Sequence, residues 1–215
     1  MPTTSKINLR QSAFISQIIS TVQTSLILAN VGKHIDLQAD EVAFFVSLLK
    51  EKKVKRKQHL LRENQVCLHS AFVNAGCLRG YTLDKNGYEH ILQFAPPGWW
   101  IADMYSMLTR QPGELFIEAL EDTEVLLLQV DDRDRLMQEV PKFERFFRII
   151  IENSLVTFRQ RLMENLGLPA RERYLLFCKR YPTLIECLPQ KQIAAYIGVT
   201  PEFLSKMRAE MLRKK

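Results

Sequence analysis

The chain has 215 residues, of which 47% are hydrophobic and 25% are charged. This ordinary globular composition excludes an intrinsically disordered chain, a collagen and a coiled-coil rod. The length suits one large domain or two small ones. Thirty Lys and Arg residues against 24 Asp and Glu residues give a formal net charge of +6.

The positive charge is concentrated in the C-terminal third of the chain. Residues 142–215 carry 15 basic and 7 acidic side chains, a net charge of +8, whereas the preceding residues have a net charge of −2. A near-neutral body followed by a basic region indicates a polyanionic partner, most simply nucleic acid. A solvated charged surface is the alternative interpretation of the same count.

The four cysteines form no CxxC pair, and a chain of this length needs no disulfides. Free thiols in a reducing cytoplasm are therefore expected. No stretch is long and apolar enough to cross a bilayer, so no membrane partner is expected.

Two helical stretches are predicted at the N-terminal end. The first covers residues 12–31, where apolar side chains recur at helical spacing and indicate an amphipathic helix. The second covers Asp40–Lys50, in which Ala43, Val46 and two adjacent phenylalanines follow a helical period.

After Lys50 the pattern changes to short strands rich in β-branched and aromatic residues. Between them, Asp84-Lys85-Asn86-Gly87 favours a tight hairpin, and Pro96-Pro97-Gly98 marks a second break. Evenly spaced short strands predict an antiparallel sandwich or jelly roll rather than a βαβ sheet. The predicted strands are 54–57, 66–73, 78–83, 88–94, 115–119 and 125–130.

Helical periodicity returns near residue 131 and continues to the end of the chain. Asp131 or Asp132 is expected to cap a short helix ending at Val140. Pro141 is expected to begin a second helix that reaches Gly167, roughly 26 residues and about 40 Å in length. Such a helix carries more apolar surface than one small barrel covers, which predicts a dimerisation helix, with internal packing as the alternative. The predicted apolar stripe runs through Phe143, Phe147, Ile150, Ser154, Phe158 and Leu162.

The most specific pattern lies at residues 190–208, QKQIAAYIGVTPEFLSKMR. A helix-turn-helix needs a small residue where its helices cross and a glycine in the turn, which Ala194 and Gly198 supply. Thr200 as N-cap and Pro201 at the first helical position start the second helix. The pattern predicts a DNA-binding helix-turn-helix, against a purely structural hairpin of helices. The expected buried positions are Ile193, Ile197, Val199, Leu204 and Met207.

The second helix, if placed in a major groove, presents one polar face to the base edges. Glu202 would accept a hydrogen bond from cytosine N4, and Lys206 would donate to guanine O6 or N7. As structural alternatives, Glu202 only favours the helix N-terminus, Thr200 only caps, and Phe203 packs. The base-facing residues are Pro201, Glu202, Ser205 and Lys206. The expected phosphate contacts are Gln190, Lys191, Thr200 and Arg208.

The whole layout resembles the Crp/Fnr family (catabolite activator and fumarate-nitrate regulator) of bacterial transcription factors. Three segments carry the resemblance: LLRENQ at residues 60–65, PGWWIAD at 97–103 and IEALEDTEV at 117–125. It covers roughly residues 35–212 and implies an α+β fold. The implied parts are a helical extension (residues 1–36), a cyclic-nucleotide-binding-like β-roll or jelly-roll domain (37–140), a dimerisation helix (141–167) and a helix-turn-helix domain (168–215).

The same resemblance implies how such a protein acts. It implies a cytoplasmic homodimer that binds and bends double-stranded DNA at a palindromic operator. It also implies contact with RNA polymerase.

Cyclic-nucleotide-binding members of the family carry a Gly-Glu pair for the ribose hydroxyl and an Arg-Ser or Arg-Thr pair for the cyclic phosphate. The corresponding positions here hold Ala102-Asp103 and Gly113-Glu114. Loss of the arginine removes a charge-assisted contact, and Glu114 adds repulsion of the phosphate. The sequence therefore argues against cAMP binding in the family's manner, and no cofactor is assigned.

Other residues are candidates for binding a ligand of a different shape. Arg110, or Arg159 on the long helix, would serve another anion. Trp99 and Trp100 would stack on a planar ligand, although packing is the more common role of such residues.

Two functions of other classes remain open. One is a ligand-binding regulatory module that acts on a protein partner. The other is a cupin-type metal enzyme, which needs clustered His and Glu ligands. His59, His69 and His90 are isolated, so neither a metal site nor an enzyme is expected.

Overall fold

The computed structural model describes residues 24–185 and 188–213. Most of the amphipathic helix predicted over residues 12–31 lies outside these ranges, as does Cys187. In chain order the elements are α1 (Ser25–Val31), α2 (Ala39–Ser47), β1 (Leu49–Val54), β2 (His59–Leu61), β3 (His69–Ala75), β4 (Leu78–Leu83), β5 (Glu89–Ala95), β6 (Trp100–Ile101), α3 (Met104–Thr109), β7 (Phe116–Ala119), β8 (Thr123–Gln129), α4 (Val130–Glu139), α5 (Lys142–Gly167), α6 (Ala170–Arg180), α7 (Gln190–Ile197) and α8 (Pro201–Arg213).

The chain divides into two compact units. The first unit contains Met1–Leu78 and Ala95–Ile149, and the second contains Arg79–Phe94 and Ile150–Lys215. The boundary between the units falls inside α5, and the β4–β5 hairpin belongs with the C-terminal helices.

The first unit is built on an antiparallel sheet with the strand order β1-β8-β3-β6. In its register Leu49 lies opposite Leu128, and Ala71 lies opposite Leu127. Strand β2 pairs antiparallel with β7, with an irregularity between His59 and Leu61. β8 holds four consecutive buried residues, Val125–Leu128, because apolar side chains cover both of its faces. The predicted α+β fold with an antiparallel β-roll is confirmed.

Aromatic side chains fix the start of α5 in this unit. Phe143 and Phe146 are fully buried. The Phe143 ring lies 4.8 Å from the Phe45 ring of α2, measured between centroids. The Trp100 ring of β6 meets Phe146 and Phe147 edge-on, each at 6.4 Å. This cluster of rings joins α2, β6 and α5.

Three details of the predicted elements are wrong. The helix predicted through Lys50 ends at Ser47, and the strand predicted at 54–57 is instead β1, Leu49–Val54. The two end residues of β1 are buried, and the four residues between them are exposed. The strand therefore lacks the alternation of apolar and polar residues that would have predicted it. Gln129, not Asp131 or Asp132, is the N-cap of α4, whose two aspartates lie in its first turn and favour the helix dipole there.

The second unit contains the β4–β5 hairpin and the helices from the second half of α5 onward. At the hairpin turn the Gly87 N–H donates to the Asp84 carbonyl at 2.9 Å, and Gly87 has a φ of +79°. The Asp84 carboxylate accepts from the N–H groups of Asn86 and Tyr88. The tight turn predicted from Asp-Lys-Asn-Gly is confirmed. α5 spans the predicted 26 residues, from Lys142 to Gly167.

Two glycines of the first unit allow the cost of a strained backbone to be compared with the cost of a steric clash. Gly76 and Gly98 have φ values of +80° and +86°, but only Gly76 is enclosed: an added Cβ would lie 2.6 Å from the Asp122 carbonyl oxygen. We expect Gly76→Ala to lower the free energy of unfolding by about 2–4 kcal/mol and Gly98→Ala by about 1 kcal/mol. Urea titration followed by fluorescence measures both; equal losses would contradict the steric argument.

Candidate nucleic-acid interface and effector cavity

Helices α7 and α8 are joined by a three-residue turn. Gly198 adopts the left-handed conformation with φ 70°, and the Val199 N–H donates to the Ala194 carbonyl at 3.0 Å. The Thr200 hydroxyl oxygen accepts a hydrogen bond from the Phe203 N–H at 3.2 Å, which caps α8. Glycine is needed at the left-handed position, since a Cβ there is strained.

The inner faces of α7 and α8 carry the apolar residues predicted from the spacing. Ala194 is fully buried, which lets the two helices cross closely. Val199 is half-buried. The other buried residues are Ile193, Ile197, Leu204 and Met207.

The outer face of α8 carries most of the residues predicted to meet bases. Glu202, Ser205 and Lys206 are exposed on its first two turns, and Pro201 is half-buried. The helical period continues this face to Ala209 and Arg213, which are also exposed and which the sequence prediction omitted. Their spacing of seven and eleven residues from Glu202 was the available signal. The exposed residues predicted to contact phosphates are Gln190, Lys191 and Thr200.

Two side chains of α8 have surroundings that differ from those of this face. Arg208 is half-buried, and its guanidinium carbon lies 5.8 Å from the centroid of the Tyr174 ring of α6, within cation–π range. Burial raises the pKa of Tyr174. Phe203, expected to pack, is 52% exposed, because it lies on the flank of α8 away from Leu204 and Met207.

The β5 strand places a carboxylate near the start of α7. Glu89 forms a bidentate ion pair with Arg79, in which the two terminal nitrogens of Arg79 lie 2.7 and 3.1 Å from the carboxylate oxygens. The Arg79 hydrogen bond holds the pKa of Glu89 below its ordinary value, and the charge of Lys191 lowers it further. Lys191 is therefore within electrostatic reach of the hairpin.

In the β-roll, Asp103 and Gly113, two of the residues predicted for the effector pocket, lie together within an internal hydrogen-bond network. Asp103 is buried and accepts from the Ser106 N–H at 3.1 Å, capping α3. The Ser106 hydroxyl donates to the Gln111 carbonyl and accepts from the Cys67 N–H at 2.8 Å. A Cβ at Gly113 would lie 2.1 Å from the Asp103 Oδ2. The Asp103 carboxylate thus occupies the space that a side chain at residue 113 needs.

The remaining residues predicted for the first unit's pocket, Glu114 excepted, make structural contacts. The Trp100 Nε1 donates to the Asn30 Oδ1 at 3.3 Å, and its ring meets Phe72 edge-on at 5.2 Å. Arg110 forms an ion pair with Asp131 at 2.6 Å. Glu114 is exposed, whereas Trp99 and Ala102 pack against the core.

Arg159 lies in the second unit, in an open groove between α5 and α6. The volume of this groove is about 850 Å³. Its lining residues are Val156, Arg159, Gln160, Met163, Glu164, Leu168, Leu176, Lys179 and Arg180.

A cavity of about 520 Å³ lies within the β-roll, and none of the residues predicted for the effector pocket lines it. The sequence missed this cavity because its walls come from strands that are far apart along the chain. Its lining residues are Lys52, Leu60, Leu61, Gln65, Val66, Cys67, Leu68, His69, Ile101, Ile117 and Leu127.

The polar groups of this cavity are mostly uncharged at neutral pH. Burial raises the pKa of Cys67, so its thiol stays protonated, and it donates to the His69 carbonyl. Burial, together with the charges of Lys50 and Lys52, lowers the pKa of His69 and keeps its imidazole neutral. Lys52 is the cation among the lining residues.

Across 24–185 and 188–213, no three His, Cys, Asp or Glu side chains are placed to share a metal ion. Within the same ranges, no helix combines the length and hydropathy that crossing a membrane requires.

Known proteins share both the domain and the fold. The family model of the cyclic nucleotide-binding domain matches residues 51–140. The transcriptional regulatory protein btr of Bordetella pertussis is 24% identical over 196 residues, covering 86% of this chain and 80% of that protein.

Two solved structures extend the likeness across both units. FixK2 from Bradyrhizobium japonicum has a TM-score of 0.68 at 18% identity, covering 77% of this chain and 85% of that one. A crp/fnr family regulator from Eubacterium rectale has a TM-score of 0.66 at 16% identity, covering 83% and 85%. The predicted resemblance is therefore confirmed: residues 51–140 match the cyclic nucleotide-binding domain model, and the chain has the fold of these solved structures, one of which is a regulator of the crp/fnr family.

Proposed function

We propose that this protein is a transcriptional regulator that binds double-stranded DNA as a homodimer through α7 and α8. The observation that carries the proposal is the division of α8 into two faces. Leu204 and Met207 are buried, whereas Glu202, Ser205 and Lys206 project from the helix start with no described partner element covering them. A helix that is buried along one face and exposes polar residues near its N-terminus on the other suits binding in the major groove.

The charge distribution supports the same proposal. The net charge of +8 over residues 142–215 attracts phosphates, and Lys191 at the start of α7 lies where a backbone contact would orient the helix pair. A regulator of this kind acts in the cytoplasm and contacts RNA polymerase.

The homodimer is proposed from the exposed side of α5. Phe143 and Phe147 of the predicted stripe pack within the first unit, so the surface left for a partner begins later in the helix. Four apolar residues there repeat at intervals of four, three and four, the spacing of a two-helix seam. Their exposed fractions are 46% for Ile151, 65% for Leu155, 56% for Phe158 and 49% for Leu162. Two helices joined along this seam would present two α8 helices to a palindromic operator.

For the effector domain we propose a ligand other than a cyclic nucleotide held by the family's residue pairs. Asp103 fills the space beside Gly113, and no guanidinium stands at that position to neutralise a phosphate. The β-roll cavity has the size of a small-molecule site and a mostly apolar lining, with a neutral thiol and imidazole. A small, largely apolar molecule fits this chemistry best.

Base and phosphate contacts are distinguished by two lysine variants. We expect Lys206→Ala to relax discrimination at one base pair, a change of about 1–3 kcal/mol, because a base-edge contact is lost. Lys191→Ala is expected to weaken binding to all sequences alike and to reduce the salt dependence by about one phosphate contact. Titration of duplex pools at several salt concentrations measures both. Absence of sequence preference in the unmodified protein at every salt concentration would overturn the DNA-binding proposal.

The seam along α5 is tested by adding a charge to it. We expect Leu155→Glu to dissociate the dimer, because two carboxylates would be buried against each other. Asn153→Glu is the matched control, since Asn153 is exposed on the opposite side of the same helix. Sedimentation equilibrium gives the molecular mass, and circular dichroism confirms that the helices persist. Monomeric unmodified protein, or an unaffected Leu155→Glu dimer, would rule out this interface.

The absence of an arginine at residue 113 predicts how cAMP affects the unfolding temperature. We expect millimolar cAMP to leave the unfolding temperature unchanged, because a ligand stabilises a protein only when its concentration approaches its dissociation constant. Differential scanning fluorimetry with inorganic phosphate as the control measures this. An increase at micromolar cAMP would show that another cation replaces the missing arginine.

A further inference from the structure

The guanidinium of Arg161 contacts two separate segments of the second unit, β5 and α7. Arg161 lies on α5, and its two terminal nitrogens donate to the carbonyls of Ile91 and Leu92 in β5. One of them also donates to the Tyr196 carbonyl near the end of α7, at 2.9 Å. The Arg161 guanidinium carbon lies 3.8 Å from the centroid of the Tyr196 ring. One side chain therefore joins a β-hairpin, the long helix and the first helix of the α7–α8 pair.

The surroundings of Arg161 are unusual for a structural arginine. The acceptors of its hydrogen bonds are backbone carbonyls, whereas nearby Arg180 is paired with the Glu164 carboxylate at 2.8 Å. Burial lowers the pKa of Arg161, and its Nε is buried without a hydrogen-bond partner. Burying a cation against carbonyl dipoles is costly unless several bonds compensate. The planar fork of arginine can reach several carbonyls at once, which the ammonium group of lysine does not match.

Tyr196 also contacts aromatic and charged groups of the same unit. The Phe94 ring of β5 stacks on the Tyr196 ring at 5.5 Å, and the Phe177 ring of α6 lies 5.2 Å away. The Tyr196 hydroxyl accepts from Arg180 at 3.1 Å. Tyr196 comes two residues before Gly198, the residue that turns the chain from α7 into α8.

From these contacts we propose that Arg161 is a positioning residue that couples the β4–β5 hairpin to the α7–α8 pair. Its guanidinium ties the middle of β5 to the last turn of α7, so a displacement of the hairpin is transmitted to the helix that precedes the turn. The consequence for DNA affinity rests on the proposed function. The physical coupling between hairpin and helix does not rest on it.

The chain supplies a matched control for this coupling. Arg159 lies two residues earlier on α5, is exposed, and lines the open groove beside Lys179. Arg161→Gln and Arg159→Gln remove the same charge from the same helix, but only the first removes bonds to β5 and α7. Arg161→Lys keeps the charge and loses the fork.

Hydrogen exchange of the full-length protein measures the coupling directly. We expect Arg161→Gln to raise amide exchange by roughly tenfold in both residues 88–94 and residues 190–200, because two segments lose a shared anchor. Arg161→Lys is expected to give a smaller increase in the same two segments, and Arg159→Gln none. Should Arg161→Gln fail to fold, Arg161→Lys carries the test. Faster exchange in only one segment, or equal effects of Arg159→Gln, would overturn the coupling.

DNA affinity provides the second readout, with a duplex selected from a random pool by the unmodified protein. We expect Arg161→Gln to weaken DNA binding roughly tenfold. The salt dependence is expected to stay unchanged, because the Arg161 guanidinium is bonded to protein carbonyls and is not expected to contact a phosphate. Unchanged affinity beside faster exchange in both segments would overturn the positioning role. If the unmodified protein selects no duplex, the proposed function fails, whereas joint exchange of the two segments would still support the coupling.

Discussion

The structure depends on one constraint, which is that the 26 residues of α5 carry apolar side chains on more surface than a single unit can bury. The first turns resolve this by burying Phe143 and Phe146 beside Phe45. The later turns leave Leu155 and Phe158 in contact with solvent. A helix that belongs to the core at one end and exposes an apolar seam at the other has a physical reason to pair with a second copy.

The same helix also organises the second unit. Beyond Ile150 its inward side holds Arg161 and Glu164, which contact β5, α6 and α7 through polar bonds rather than apolar packing. Polar anchors of this kind are directional, because a hydrogen bond requires a narrow range of distance and angle. The orientation of α7 is therefore determined more sharply than aromatic packing around Tyr196 would achieve alone.

Local signals made some parts of the structure predictable from the sequence. Thr200 and Pro201 mark the start of α8, and Gly198 marks the turn, because capping and left-handed backbone are properties of single residues. The strand at 78–83 was predicted with its observed bounds. By contrast, β1 has charged residues at all four inner positions, and β6 has two residues, so neither has a detectable period. The β-roll cavity was not predicted because its lining residues are distant along the chain and are brought together only by the folding of the β-roll.

The carboxylate beside Gly113 also bears on how this domain can evolve. An arginine at residue 113 would collide with Asp103, and loss of Asp103 alone would remove the cap of α3. Each single change is therefore harmful in the background of the other residue, and the two substitutions are not additive. A phosphate site built on an arginine at residue 113 would therefore require more than one substitution, because Asp103 must change as well.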